Sequence, residues 1–283
     1  RVGRVGIQLI AIDVDGTLLD SHGRIPAANL AAIAEAGARG MHVVIATGRS
    51  FGFALHPLAP VPEPLTLIVH NGAIVRTRDG HTLDRRLLPT RAAATVLDVT
   101  RPWRDSALLL FDRPAAGQLV SDALDWSHPN RTRFFERNRD LITEVDALEE
   151  ALTEDPVQVA FNGALEPMRA VAAALGDLGA STELTVSITE YPARDFALVD
   201  VCAAGTTKGT ALARLAARLG VPQAGVLAVG DNFNDEAMLA WAGVGVVMAN
   251  ADPALLSRGF ATTGTNDEAG LAAAIRTWAL GDG

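Results

Sequence analysis

Four acidic residues in two short segments are the strongest candidates for chemistry in this chain. Asp13 and Asp15 lie in "DVDGTLL", and Asp231 and Asp235 lie in "GDNFND", more than 200 positions further along. Carboxylates that meet in a folded protein can bind a divalent cation, act as nucleophiles or transfer protons. Such chemistry requires a fold that brings these two distant segments together.

Each segment also has a purely structural explanation. An Asp-x-Asp-Gly stretch can form a turn in which the Asp side chains accept hydrogen bonds from backbone amides. A calcium-binding loop is excluded, because the sixth and twelfth positions are Leu18 and Arg24 rather than Gly and Glu. The second segment could cap a helix, but capping needs one Asp or Asn and this segment has four within one turn.

Four continuous apolar runs predict the strands that position these acids. The runs are "IQLIAID", "MHVVIATGR", "LTLIVHNG" and "GVLAVGDNFND", and continuous hydrophobicity is typical of strands buried on both faces of a parallel sheet. Helices are predicted between them, from Pro26 to Gly40 and from Thr206 or Thr207 to Gly220. This alternation predicts an α/β fold with a doubly wound, Rossmann-like parallel-sheet core.

In such sheets, ligands bind beyond the carboxyl ends of the strands. The first run ends at Asp13 and Asp15, the second at Thr47 and Gly48 with Arg49, and the fourth at the Asp231 segment. If the four acids converge there, each like-charge pair at about 4 Å costs roughly 4 kcal/mol at an effective dielectric near 20. A cation is therefore expected, and carboxylate and carbonyl oxygens favour Mg²⁺.

Lys208 is the only lysine of the chain, which otherwise uses arginine. It falls in the first turn of a predicted helix, where the helix macrodipole disfavours a cation by roughly 0.3 to 1 kcal/mol. A residue that breaks a local rule is often functional, and an anion between the helix N-terminus and the ammonium would explain it. The alternative is an exposed lysine that extends into solvent.

The middle of the chain follows a different pattern. After a hairpin predicted at Asp79 and Gly80, residues from about 87 to 200 mix short strands and helices without the α/β alternation. We expect an α+β cap domain with its own antiparallel sheet at 87–200, inserted into a core formed by 1–86 and 201–283. Its polar segment includes Trp126, His128, Arg131 and Arg133, which could face a substrate, although surface arginines are more often only solvated.

Composition limits the partners of the protein. The formal charge of -9 and the absence of a basic stripe argue against nucleic acid as a partner. No apolar run approaches the roughly 18 residues of a membrane span, and no secretory signal is visible. Cys202 is the only cysteine, so a reducing cytoplasm is the expected location.

Four segments, taken in order, closely resemble the signature motifs of the haloacid dehalogenase superfamily. They are "DVDGTLL", "ATGR", "TTKGTAL" and "GDNFND". The large insertion between the second and third resembles the placement of the cap domain in Cof-like phosphatases. The resemblance implies a phosphoric monoester hydrolase that uses Mg²⁺ and acts on a small phosphorylated substrate.

The resemblance also implies roles for individual residues. Asp13 would be the nucleophile that forms an aspartyl-phosphate, and Asp15 would protonate the leaving oxygen and then activate water. Mg²⁺ would be bound by Asp13, Asp231 and the backbone carbonyl of Asp15, while Asp235 would contact these ligands rather than the ion. The phosphoryl oxygens would be bound by four residues: Thr47, Gly48, Lys208 and Asn234.

Three functions fit these expectations. The first is a Mg²⁺-dependent phosphatase acting on a small metabolite such as a sugar phosphate. A phosphohexomutase or a disaccharide-phosphate phosphatase could share the same motifs. A protein of another class, a phosphate-sensing regulator without turnover, is disfavoured because all the motif acids are present. Substrate identity and oligomeric state do not follow from the sequence.

Overall fold

A computed structural model of the chain describes residues 6–114, 116–127, 129, 131–132, 136, 139–179 and 184–281. The chain divides into two units, one formed by Arg1–Arg85 with Thr207–Gly283 and the other by Arg86–Thr206. The boundary expected at residue 200 falls inside a strand, Phe196–Ala203, because antiparallel pairing continues as far as Leu184 with Ala203.

Fourteen strands are present in the described part of the chain. In chain order they are β1 Leu9–Ile12, β2 His42–Ala46, β3 Thr66–Val69, β4 Ile74–Thr77, β5 Thr82–Arg85, β6 Ala107–Leu110, β7 Leu119–Ser121, β8 Ile142–Glu144, β9 Gln158–Gly163, β10 Leu184–Tyr191, β11 Phe196–Ala203, β12 Val226–Gly230, β13 Val244–Val247 and β14 Ala261–Thr262.

Eight α-helices accompany these strands in the same described ranges. In chain order they are α1 Ala27–Ala38, α2 Phe51–Leu58, α3 Thr90–Val99, α4 Leu165–Gly179, α5 Lys208–Leu219, α6 Glu236–Trp241, α7 Pro253–Leu256 and α8 Gly270–Ala274. Within the described residues, no helix combines the length and the apolar character that crossing a bilayer would require.

The first unit is built on an eight-stranded sheet with the order β14-β13-β12-β1-β2-β3-β4-β5. The strands from β14 to β3 pair in parallel, while β4 and β5 add an antiparallel hairpin at one edge. The four predicted strands are β1, β2, β3 and β12, and the sheet confirms the α/β core. All side chains of β1 and β12 are buried, which explains their continuous hydrophobicity.

Helix α5 begins and ends as its sequence predicts. The Thr207 hydroxyl accepts a hydrogen bond from the Thr210 amide, and the Thr210 hydroxyl accepts one from the Thr207 amide, which together form a capping box. Gly220 ends the helix in the left-handed conformation, with φ 71°. The cap therefore fixes the backbone around Lys208, the first residue of the helix.

The second unit has a six-stranded sheet with the order β10-β11-β9-β6-β7-β8. The expected strands and the helices α3 and α4 are present, with an apolar core that includes Phe161 and Val199. The expectation of a wholly antiparallel sheet is wrong at one edge, since β8 pairs in parallel with β7. Strand β8 is difficult to predict from its sequence, because it is only three residues long and mostly polar or exposed.

Candidate active site

The two acidic segments meet because β1 and β12 are adjacent parallel strands in register. Ile12 pairs with Val229, so Asp13 and Asp231 emerge at the same edge of the sheet. The Asp13 amide donates a hydrogen bond to the Val229 carbonyl at 3.0 Å. The structure thus brings together residues that the sequence separates by most of its length.

Lys208 is completely buried at this edge. Its ammonium donates hydrogen bonds to Asp13 Oδ1 and to Asp235 Oδ1, both at 2.6 Å. Burial alone would lower the pKa of Lys208, but the negative charges of Asp13 and Asp235 outweigh it and raise the pKa above its usual value. The alternative of an exposed lysine extending into solvent is therefore wrong.

Asp235 combines a structural contact with an electrostatic one. Its Oδ2 accepts hydrogen bonds from the backbone amides of Asp231 and Asn232, each at 3.0 Å, as a cap does. Its other oxygen binds Lys208. One oxygen of Asp235 therefore acts as a helix cap, and the other forms the ion pair with Lys208.

Asp13, Asp231 and Asp235 form a group that could hold a metal ion. Each offers an oxygen, and these three atoms lie within 4.8 Å of one another. The pKa of Asp13 is raised to about 7, mainly by burial and next by the negative charge of Asp235, while the charge of Lys208 opposes the shift. Burial, followed by the charges of Asp13 and Asp235, likewise raises the pKa of Asp231 well above its usual value.

The group also carries an imbalance of charge. Three carboxylates against one ammonium leave an excess of two negative charges when all are ionised. Oxygen donors with this charge suit a hard divalent cation. Two further contacts keep Asp231 in place: the Thr17 hydroxyl donates to its Oδ1 at 2.9 Å, and a Cβ at Gly16 would overlap its Oδ2. The residues present therefore fit a metal site.

The carboxylate of Asp15 is not part of this group. Arg49 donates to both of its oxygens, Nε to Oδ2 at 2.8 Å and Nη2 to Oδ1 at 2.6 Å, and the Asp15 side chain is 49% exposed. The expectation that four carboxylates converge is therefore wrong. Residues two apart share a face only within a strand, whereas β1 ends at Ile12 and the Asp15 side chain belongs to the loop that follows.

The candidate phosphate-binding residues lie in the same unit. Thr47 is buried directly after β2, with Gly48 following it. A Cβ at Gly48 would lie 3.0 Å from Asn71 Oδ1, and Asn234 Nδ2 donates to that same Asn71 oxygen at 3.1 Å. Asn71 therefore lies beside two of the four residues that the sequence proposes for phosphate.

Two residues of this site were missing from the sequence-based set. Arg49 closes the "ATGR" segment, and its guanidinium also stacks over the Phe53 ring with 4.6 Å between Cζ and the ring centroid. Asn71 ends the third predicted strand run, "LTLIVHNG". The rule that placed Asp13 and Thr47 at strand ends could have identified Asn71, because β3 belongs to the same parallel sheet.

Two residues of the polar segment in the second unit, Trp126 and Arg131, form hydrogen bonds within that unit. Arg131 is buried, and its guanidinium donates to Asn162 Oδ1 at 2.7 Å and to the Asp125 carbonyl at 2.9 Å. Burial lowers the pKa of Arg131 despite the opposing charges of Asp105 and Asp125. Trp126 donates its indole N–H to Glu144 at 3.1 Å. His128 and Arg133 lie outside the described residues.

Comparison with known proteins agrees with the motif pattern. A family model for haloacid dehalogenase-like hydrolases matches residues 10–275. YcsE of Bacillus subtilis, a 5-amino-6-(5-phospho-D-ribitylamino)uracil phosphatase, is 29% identical over 276 residues, which cover 98% of this chain and 97% of YcsE. The B. subtilis phosphatase YwpJ is 30% identical over 288 residues, covering 94% of this chain and 98% of YwpJ.

A solved structure shows the same fold. BT1666 from Bacteroides thetaiotaomicron, described among the phosphatases of the superfamily, is 27% identical with a TM-score of 0.79, covering 98% of this chain and 97% of BT1666. The matched region includes both acidic segments, Thr47 and Lys208. The chain therefore belongs to the haloacid dehalogenase-like hydrolases, as a Cof-type phosphatase that hydrolyses phosphoric monoesters of small molecules.

Proposed function

We propose that the protein is a Mg²⁺-dependent phosphatase that hydrolyses a small phosphorylated metabolite, such as a sugar phosphate, through an aspartyl-phosphate on Asp13. The observation that carries this proposal is the buried ion pair between Asp13 and Lys208 beside Asp231, at the carboxyl ends of β1 and β12. The ammonium keeps a carboxylate oxygen of Asp13 positioned and partly offsets the charge of an approaching phosphate.

The reaction has two displacements at phosphorus. In the first, a carboxylate oxygen of Asp13 forms a bond to phosphorus, the bond from phosphorus to the substrate oxygen breaks, and protonated Asp15 gives its proton to that leaving oxygen. In the second, a water oxygen forms a bond to phosphorus, the Asp15 carboxylate takes a proton from that water, and the bond between phosphorus and the Asp13 oxygen breaks. The products are the alcohol and inorganic phosphate, and both carboxyl groups return to their starting state.

The contact between Asp15 and Arg49 bears on this cycle. Both oxygens of Asp15 are engaged by the Arg49 guanidinium, so Asp15 must release one of these bonds before it can give a proton to the leaving oxygen. Asp15 is half exposed, which leaves it room to move. Arg49 is itself held over the ring of Phe53, so we expect the Asp15 side chain to be the moving partner.

Phosphoryl oxygens would be bound by Thr47, Gly48, Lys208 and Asn234. Lys208 supplies a charge, Thr47 and Asn234 supply polar side chains, and Gly48 leaves its backbone amide unobstructed. Asp235 has a supporting role, since it binds the Lys208 ammonium and the backbone amide of Asp231. These roles rest on the motif resemblance, together with the hydrogen bond between Asn234 and Asn71 and the bonds of Lys208 to Asp13 and Asp235.

Asp13, Asp231 and the backbone carbonyl of Asp15 would bind Mg²⁺. The raised pKa values of Asp13 and Asp231 support this assignment, because burial and then the neighbouring carboxylates disfavour the charged forms, and a bound cation would favour them. When bound, Mg²⁺ would neutralise charge on the phosphoryl group and on the carboxylates.

The substrate class is suggested by a relative. The name of YcsE specifies a phosphate carried on a ribityl chain, so a phosphate ester of a sugar or sugar alcohol is our first candidate. A disaccharide phosphate belongs to the same chemical class. A phosphohexomutase would return the phosphoryl group to a substrate hydroxyl, and product analysis separates that outcome from hydrolysis. The non-catalytic phosphate sensor is set aside, because the relatives are named phosphatases.

A cytoplasmic location is also part of this proposal. It rests on Cys202, the only cysteine of the chain, which is buried as a free thiol. Burial, followed by the charge of Asp200, raises the pKa of this thiol far above its usual value, so the thiol is poorly suited to redox chemistry.

A screen tests the function directly. The purified protein is incubated with a panel of phosphorylated sugars, polyols, nucleotides and cofactors at one Mg²⁺ concentration, and released phosphate is measured. We expect phosphate release from a subset of small phosphomonoesters, and its loss in Asp13→Asn. Conversion of one hexose phosphate to its isomer without free phosphate would instead identify a mutase.

A further inference from the structure

Three consecutive residues after β3, His70, Asn71 and Gly72, form a tight turn with left-handed backbone conformations. Their φ angles are 50°, 53° and 106°. Glycine adopts such angles readily and asparagine does so more often than most residues, but two neighbouring non-glycine residues in this region are uncommon. Backbone strain of this kind persists only where surrounding contacts enforce it, and it often marks a functional site.

The turn is fixed to the segment after β2. The His70 amide donates to the Arg49 carbonyl at 3.0 Å, and the Asn71 amide donates to the Thr47 carbonyl at 3.1 Å. These two bonds flank Gly48 on both sides. The strained turn therefore determines where the Gly48 amide and the Thr47 side chain lie.

The same turn lies against the N-terminus of α5. A Cβ at Gly72 would overlap the Thr207 carbonyl oxygen and would lie 3.1 Å from the Lys208 backbone nitrogen. Only a residue without a side chain allows this approach, and its φ of 106° also favours glycine. The turn thus packs directly on the backbone that positions Lys208.

The side chain of Asn71 reaches the remaining phosphate candidate. It is 5% exposed, and its Oδ1 accepts a hydrogen bond from Asn234 Nδ2 at 3.1 Å. That bond uses one of the two N–H groups of Asn234 and fixes the plane of its amide. The second N–H is then restricted to a narrow range of directions.

We propose that Asn71 is a positioning residue for phosphate binding, acting by orienting the Asn234 amide within a turn that also aligns Gly48 and Lys208. The inference rests on the proposed function, because Asn234 is taken to bind a phosphoryl oxygen. Asn71 combines two properties that the position requires, tolerance of the left-handed conformation and a side-chain acceptor. Glycine supplies only the first, and alanine supplies neither.

This difference gives the main test. Asn71→Gly keeps the turn but removes the acceptor for Asn234, so kcat/KM for the best substrate of the screen should fall at least about fivefold. The inhibition constant of inorganic phosphate should rise by a similar factor, with little change in Tm. Asn71→Ala should show the same losses together with a lower Tm, because alanine disfavours φ near 53°. Parental kinetics and phosphate inhibition in Asn71→Gly would overturn the proposal.

A double-mutant cycle separates positioning from a general structural effect. If Asn71 acts through Asn234, the double variant Asn71→Gly with Asn234→Ala should be no slower than Asn234→Ala alone, to within about twofold. Losses that multiply across the two single variants would show that Asn71 does not act through Asn234.

Ala269 offers a matched control in the same unit. It also has a left-handed backbone, with φ 55°, and it lies at the start of α8, outside the proposed site. Ala269→Gly changes a backbone of the same type, so kcat/KM should stay at the parental value. A fall equal to that of Asn71→Gly would mean that kinetics respond to any left-handed position, and the proposal would fail.

Asn71→Asp keeps the test decisive if the glycine variant does not fold. Aspartate has nearly the same size, tolerates the turn and retains an acceptor for Asn234, but it adds a negative charge beside Gly48. Because the acceptor is kept, Asn234→Ala should lower kcat/KM by the same factor, to within about twofold, in the Asn71→Asp background as in the parent, and loss of that Asn234 effect would overturn the proposal. If the parent protein itself releases no phosphate with Mg²⁺, the proposed function fails, whereas an active parent with equally active Asn71 variants refutes only this inference.

Discussion

Lys208 and Asp13 form a buried ion pair of 2.6 Å across 195 positions of sequence. The lysine side chain has no exposed surface, and its ammonium also binds Asp235 at 2.6 Å. The only lysine of the chain thus occupies a closed position whose size and charge are set by two carboxylates. All the other Lys or Arg residues of the chain are arginines. The guanidinium group of arginine is wider and planar, and it does not match this space.

We expect Lys208→Arg to lower kcat/KM by at least about tenfold, equivalent to roughly 1.4 kcal/mol of transition-state stabilisation. The charge is retained, so the loss would report on the shape of the side chain. Because the site is fully buried, the larger group should also lower stability by about 1 to 3 kcal/mol. Steady-state kinetics and thermal unfolding measure the two effects, and parental values for both would show that the lysine is interchangeable with arginine.

Asp13→Asn should abolish steady-state turnover, because an amide oxygen cannot replace the carboxylate as a nucleophile. In the metal-free protein its Tm should not fall, since the change removes a negative charge from a group in which burial and repulsion already raise the pKa of Asp13 to about 7. Circular dichroism and phosphate release check the two expectations. Turnover by the folded variant, with deamidation and contamination excluded by mass spectrometry, would contradict a covalent mechanism.

Asp15→Asn separates the two displacements. Nitrophenyl phosphate has a good leaving group that needs little protonation. The variant should therefore still transfer the phosphoryl group of this substrate to Asp13. The second step lacks its base, and we expect a burst of nitrophenol close to one equivalent per enzyme followed by slow turnover. Rapid-mixing absorbance measures the burst. Alkyl phosphates should show no burst, and identical slowing of both substrate types would argue against Asp15 as the acid.

Stabilisation by Mg²⁺ should increase with pH. In the metal-free fold, burial and neighbouring carboxylates raise the pKa of Asp13 from 3.8 to about 7 and raise that of Asp231 as well. The folded state therefore binds more protons than the unfolded state between about pH 4 and 7, and the contribution of these groups to stability decreases as pH rises through that range. Mg²⁺ replaces these protons, so its effect should be larger where they have dissociated.

The measurement is the difference in Tm with and without Mg²⁺ at about pH 5, 6.5 and 8. Taking this difference cancels the titration of groups outside the site. We expect it to grow with pH, and Asp231→Asn should reduce it strongly because one of the proposed ligands is lost. A difference that is constant across pH, or equal in Asp231→Asn, would show that the ion binds elsewhere.

Local patterns in the sequence were sufficient to predict the core. Continuous apolar runs identified β1, β2, β3 and β12, because strands buried on both faces contain little else. The start at Thr206 or Thr207 and the end at Gly220 predicted α5 to within one residue, because helix ends have strong chemical preferences. The strand-end rule then placed Asp13, Thr47 and Asp231 together before any distance was known.

Only the tertiary structure decided how each charge is paired. Whether Lys208 is buried depends on which carboxylates face its helix, and Asp13 and Asp235 come from two other segments. Asp15 lies two positions from Asp13 but pairs with Arg49, because the strand has already ended at Ile12 and the loop that follows sets the direction of each side chain.

The role of Asn71 likewise depends on contacts with Thr47 and Asn234. Helix caps and the apolar pattern of a buried strand depend on residues that are close together in the chain, so the sequence shows them directly. Electrostatic pairing acts between neighbours in space, and the fold must form before the pairs exist.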